Sequence, residues 1–127
     1  MSAVIIALVV FIIILIMGTL YYYSTGQMSA IVPFSYCETS AAQFHPSCPV
    51  GKTVVIDEAK YGRYDTATCM SPSSSANKLC DGTSILSKLT ALCTGKQDCQ
   101  LTGSMNTAFG DPCPGISKHM VGTYHCA

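Results

Sequence analysis

From Ala3 to Leu20 the chain has no polar face. Thirteen of these residues are Val, Ile, Leu or Phe, and the rest are small or neutral, such as Gly18 and Thr19. A helix apolar on every side cannot be the core element of a small domain, because about 90 remaining residues could not surround it. Carried on to Tyr23, such a helix rises about 1.5 Å per residue to roughly 31 Å, which matches a bilayer's hydrocarbon core. The thirteen large apolar residues favour insertion by on the order of 4–8 kcal/mol, and no charge opposes them. Tyr21, Tyr22 and Tyr23 then place three amphipathic rings at headgroup level, with Ser24, Thr25 and Gly26 leading into water. The competing reading is a cleaved signal peptide, which needs a basic n-region, about 7–15 apolar residues and small residues before the cut. Here the n-region is Met1-Ser2, the apolar stretch is longer, and tyrosines occupy the cleavage zone. The pattern predicts a retained signal-anchor over residues 1–23, meeting lipid through residues 3–23.

The first charged side chain is Glu38, and beyond it the pattern changes. Residues 24–36 are uncharged, contain Gly26 and Pro33, and are too short to fold alone, so they are expected to form a tether. The β-branched run Thr53-Val54-Val55-Ile56 predicts a strand. Residues 70–78, rich in serine, predict a loop. Ile85, Leu86, Leu89, Leu92 and Cys93 recur at helical spacing, with Ser84 or Asp81 available near the start and Gly95 just beyond the end, which predicts one helix. Gly110–Gly115, with two prolines and two glycines, excludes helix or central strand. Met120–Cys126 predicts a closing strand.

Seven Lys and Arg balance seven Asp and Glu without any block of like charge, so no nucleic-acid partner is expected. The eight cysteines all fall in the polar part, at 37, 48, 69, 80, 93, 99, 113 and 126. An even number spread this way reads as four disulfides. Zinc is the alternative, but there is no CxxC pair, and His45, His119 and His125 lack finger-like offsets, so no metal is expected. Disulfides persist in oxidising compartments. The N-terminus is therefore expected in the cytosol and the domain outside it, in an extracellular or lumenal space or on a virion envelope. No G-x-S-x-G, HExxH or P-loop occurs, and the adjacent Asp57 and Glu58 would point to opposite faces of a strand. Neither an enzyme nor a cofactor is expected.

Four segments occur in one order: Cys37-Glu38, AKYGR at 59–63, CTGKQDC at 93–99 and FGDPCPG at 109–115. With the eight cysteines in register, residues 37–126 resemble the SUEL-type, or rhamnose-binding, lectin domain. The resemblance implies an α+β fold over residues 37–127, with antiparallel strands in two small sheets packed with a helix. It also implies the disulfides Cys37–Cys69, Cys48–Cys126, Cys80–Cys113 and Cys93–Cys99. Spacing alone leaves all 105 pairings of eight cysteines open.

Domains of this kind bind L-rhamnose or D-galactose type sugars without calcium, and the resemblance places their contact positions on Glu38, Tyr61, Asp111, Gly115 and Lys118. Carboxylates accept hydrogen bonds from adjacent sugar hydroxyls, and such charge-assisted bonds are the stronger kind. On this basis Glu38 and Asp111 supply acceptors and Lys118 supplies donors. Tyr61 covers an apolar C–H face, and Gly115 allows close backbone approach. Each residue also has a plainer reading: Asp111 as a turn former, Glu38 and Lys118 as an ion pair, Tyr61 as core, and Arg63 as a structural tie to a carboxylate. The chain departs from the family pattern at Ile116, Ser117 and His119, and the missing hydroxyl at 116 removes one hydrogen bond. A single sugar site is weak, so adhesion implies many copies clustered in one membrane. The rival expectation is a structural or assembly protein of a cellular or viral envelope that uses the same domain for protein contacts.

Overall fold

The computed structural model describes residues 2–25 and 29–127, with Ser24 and Thr25 as backbone alone. Met1 and residues 26–28 lie outside the described residues, so the expectation for Gly26 and for the middle of the tether is not addressed. Helix α1 covers Ala3–Thr25. Its segment Ala3–Tyr23 is long and apolar enough to cross a membrane and has no part buried in protein. An N-terminal helix of this kind directs a chain to the secretory pathway, as signal or as anchor.

The strands are β1 (Val32–Cys37), β2 (Val54–Arg63), β3 (Cys80–Ser84) and β4 (His119–Cys126). They form one four-stranded antiparallel sheet in the order β1-β4-β2-β3, not the two small sheets expected. The cause is the length of β2. Its ten residues pair with β4 from Val54 to Gly62 on one edge and with β3 from Lys60 to Arg63 on the other, so among the described residues no strand is left over to start a second sheet. The expected tether also ends sooner than 36. Val32 lies opposite Tyr124 and Cys37 opposite His119, with Phe34 buried in the core. Pro33 is tolerated there because β1 is an edge strand.

Helix α2 (Leu86–Cys93) lays Leu89 and Cys93 into the core, with buried Ile85 just before it. Gly95 follows its end at φ +73°, the left-handed conformation that glycine adopts without strain. Neither expected cap is used: Ser84 ends β3, and Ile85 occupies the N-cap without a side-chain bond. A second short helix, α3 (Met105–Phe109), was not legible from periodicity. Ser104 caps it by accepting from the Thr107 N–H at 3.1 Å, and the buried Met105 and Phe109 hold it to the core.

The four disulfides are Cys37–Cys69, Cys48–Cys126, Cys80–Cys113 and Cys93–Cys99, the same pairs that the resemblance implies. Cys37–Cys69 and Cys80–Cys113 hold long loops against the end of the sheet where β1 finishes and β4 begins. The glycine of the Tyr-Gly-Arg run has a steric reason. At the register shift between Tyr61 and Arg63, a Cβ on Gly62 would lie 2.5 Å from the Gly82 nitrogen, and one on Gly82 would lie 1.7 Å from the Tyr61 oxygen.

Candidate functional site

Because β1 and β4 are antiparallel neighbours, the residue after one and the residue before the other must meet. The Glu38 N–H donates to the Lys118 carbonyl at 3.0 Å. The Lys118 side chain, 2% exposed, runs beneath this junction. Its Nζ lies 2.9 Å from Glu38 Oε2, 3.0 Å from Asp111 Oδ1 and 2.8 Å from the Ile116 carbonyl oxygen. An ammonium has three protons, and these three acceptors occupy them. Lys118 is thus not the open donor to sugar hydroxyls that the resemblance implies. It is a buried counter-ion that holds two carboxylates side by side while leaving each partly exposed, 24% for Glu38 and 34% for Asp111.

Asp111 does two things at once. It pairs with Lys118 and also accepts from the Cys113 N–H at 3.0 Å, so the turn reading and the ion-pair reading both hold. Tyr61 is placed differently from the expectation. It is fully buried on the inner side of β2, its ring near Phe109, and cannot cover a sugar face. Its hydroxyl lies 3.1 Å from Glu38 Oε2 and 2.7 Å from Asn106 Oδ1. Burial first, and then the Glu38 carboxylate, push this phenol above its usual range, so it stays protonated and donates. Tyr61 therefore positions Glu38 from below.

These groups open onto a cavity of about 460 Å³. Glu38, Asn106, Asp111 and Lys118 give it a polar side, while Met70, Pro72, Ala76 and Ile116 give it an apolar one. Gly115, at φ +79°, completes the wall. Asn106 is the residue that sequence reasoning missed: it is exposed, borders the cavity and touches Tyr61, but only helix α3 puts it there. Among the described residues, no group of three or more His, Cys, Asp or Glu could hold a metal ion.

Arg63 acts on the cavity wall from behind. Its Nη1 donates to the carbonyls of Ser117 at 2.6 Å and Cys69 at 3.2 Å, and its Nη2 donates to that of Thr66 at 3.3 Å. The tie is to backbone carbonyls and not to the carboxylate expected. Beside it, His119 is buried with Nδ1 unpartnered and Nε2 3.7 Å from Asp65. Burial holds the imidazole below its ordinary pKa of 6.5; Asp65 opposes this shift and Arg63 adds to it. In the unfolded chain His119 takes a proton more readily than in the folded one. Stability is thus complete above about pH 6.5 and falls as the pH drops from there through the lower folded value. Unfolding midpoints measured between pH 7.5 and 5 should show this loss, and His119→Phe should flatten it.

A profile of the D-galactoside/L-rhamnose binding SUEL lectin domain matches residues 46–126. The chain belongs to the SUEL lectin family. It is 40% identical over 93 residues to the L-rhamnose-binding lectin SML of Scomberomorus niphonius, covering 71% of this chain and 44% of that one. It is 36% identical to the D-galactoside-specific lectin of Heliocidaris crassispina, also over 93 residues, covering 72% of this chain and 86% of the relative. A part of latrophilin Cirl of Drosophila ananassae is 32% identical over 82 residues, covering 62% of this chain but 5% of that much longer protein. This chain thus spans less than half of the SML lectin. The family is one of lectins and not of enzymes.

Within this SUEL domain, the Tyr61 hydroxyl should matter twice. Tyr61→Phe removes the buried hydroxyl that lies 3.1 Å from Glu38 and 2.7 Å from Asn106, while Lys118 still holds Glu38, which should cost about 1–2 kcal/mol of stability. Sugar affinity should fall a few-fold, because Glu38 loses one of its two buried contacts and Asn106 loses its contact with Tyr61. Chemical denaturation and titration of the same sample would separate the two effects.

Proposed function

We propose that this chain is a membrane-anchored module that binds rhamnose- or galactose-type sugars without calcium, through Glu38, Asp111 and Asn106 with Gly115 in the wall. The carrying observation is the pair of partly exposed carboxylates fixed beside one buried ammonium at the edge of the cavity. Two adjacent hydroxyls of a pyranose can each donate to a carboxylate oxygen, and the acceptors are held in place before the sugar arrives. Ile116 offers apolar contact where a hydroxyl would have offered a hydrogen bond. The family membership and the specificities for which the two lectins above are named support this choice of sugars.

The reading of α1 as an anchor rests on its length and on the three tyrosines at its end. The disulfides support placing the domain on the non-cytosolic side. Resistance of the full chain to alkaline carbonate extraction is the expected result, and release would overturn the anchor. One site gives weak affinity, so a clustered array of copies would supply the avidity needed for adhesion.

Full-length protein in liposomes should bind L-rhamnose or D-galactose and ignore D-glucose. Glu38→Gln and Asp111→Asn should each weaken binding roughly tenfold or more, since a hydrogen bond to a charged group contributes about 1.5–3 kcal/mol. Absence of any such binding with all four disulfides formed would overturn the sugar reading. A soluble version must begin before Val32, because β1 carries Phe34 into the core.

A further inference from the structure

The two ends of the sheet differ in character. At one end β1 finishes, β4 begins and the cavity opens. At the other, β4 finishes beside the starts of β1 and β2. There the Ser29 hydroxyl donates to the Cys126 carbonyl, and Thr53 and Ala127 exchange backbone hydrogen bonds of 2.7 and 3.0 Å. The Cys48–Cys126 disulfide pins the turn that leads into β2. That turn is closed by the Lys52 N–H donating to the Pro49 carbonyl at 3.0 Å, with Gly51 at φ +86°. It holds Val50 at its tip, 91% exposed. Ile31 is also exposed at this end. Lys96, whose carbonyl accepts from the Val54 N–H at 2.9 Å, adds a second cation to that of Lys52. Two acids lie near this end, each beside a histidine: Asp98 is 3.9 Å from His45 and Asp57 is 2.9 Å from His125.

Only four residue steps separate Thr25, the last residue of α1, from Ser29. Four steps span at most about 14 Å even when fully extended. A domain end bonded to Ser29 therefore stays within that reach of wherever α1 leaves the bilayer. We infer that this end of the domain rests on the lipid surface, with Val50 and Ile31 entering the boundary between headgroups and acyl chains and Lys52 and Lys96 facing lipid phosphates. An apolar side chain at the tip of a disulfide-locked turn can enter the interfacial layer of a bilayer, and the flanking lysines can pair with the phosphates that phospholipids of either leaflet carry. The inference rests on α1 being an anchor. It also sets the cavity at the outer end, since seven residue steps along β4 carry the chain about 23 Å from Cys126 to His119.

The chain contains no tryptophan, so one introduced indole is a site-specific reporter. The test uses the full chain in phosphatidylcholine vesicles, carrying Val50→Trp, with Ile31→Trp as a second reporter and Met70→Trp at the cavity end as the outer control. Val50→Trp and Ile31→Trp should shift to the blue and lose roughly half their emission when the lipids carry brominated acyl chains, while Met70→Trp should do neither. The inference is overturned if α1 resists carbonate extraction and yet all three indoles are quenched equally by aqueous acrylamide and untouched by bromine. Equal bromine quenching of all three, meaning a domain lying on its side, overturns it as well. Release by carbonate removes the anchor first and the inference with it.

Discussion

Lys118→Met should lower the thermal unfolding midpoint by about 10 °C or more and abolish measurable sugar binding. The variant keeps an unbranched stem one atom shorter but leaves Glu38 and Asp111 facing each other with no cation between them, and it leaves the Ile116 carbonyl without its donor. Removing one partner of a fully buried ion pair costs about 3–5 kcal/mol. Here the carboxylates are a quarter to a third exposed, and solvent takes up part of the penalty, so about 2–4 kcal/mol is expected. A control separates charge from packing. In Lys118→Met combined with Glu38→Gln, one of the two unpaired charges is gone, and part of the lost stability should return. Calorimetry of the single and double variants checks this. No recovery would mean that the lysine stem, and not its ammonium, holds the loop.

Gly82→Ala should destabilise by about 3 kcal/mol or more, well beyond an ordinary glycine substitution. Its Cβ would sit 1.7 Å from the Tyr61 carbonyl oxygen, and both partners in this clash are backbone, so β2 and β3 must separate. The separation would move Tyr61 and Arg63, which set Glu38 and the Ser117–Cys69 wall, so sugar affinity should fall together with stability. Gly103→Ala is the comparison. That residue has φ +83° and nothing within 4 Å of the added carbon, so only the conformational penalty of roughly 1–2 kcal/mol applies. Urea midpoints of the two variants should differ clearly, and equal midpoints would show that the strands can part at little cost.

The parts of the fold that sequence made legible were those set by local chemistry. The three- and four-residue spacing of Leu86, Leu89 and Cys93 marked α2, and Gly95 marked its end, because helix period and left-handed backbone are properties of a few neighbouring residues. Sheet membership is not local. Nothing around Val54 says that β2 will run on to Arg63 and serve two neighbours, and the single sheet follows from that length. Nor does the composition of residues 24–36 reveal that Phe34 has a place waiting in the core, because the partner of β1 lies about 90 residues away in β4. At the site, residue types showed which groups would gather, while roles depended on burial. Tyr61 and Lys118 face inward and act on Glu38 and Asp111, and their distances, not their identities, show this. Asn106 carried no signal of its own, since the helix that presents it is five residues long.

The charge balance at the cavity edge has a consequence for which glycans can enter. Two carboxylates share one ammonium, and that ammonium is sealed beneath them, so an arriving ligand meets net negative charge. Sialylated, sulfated or uronic-acid termini would be repelled, and uncharged deoxy- and hexopyranose ends would be admitted.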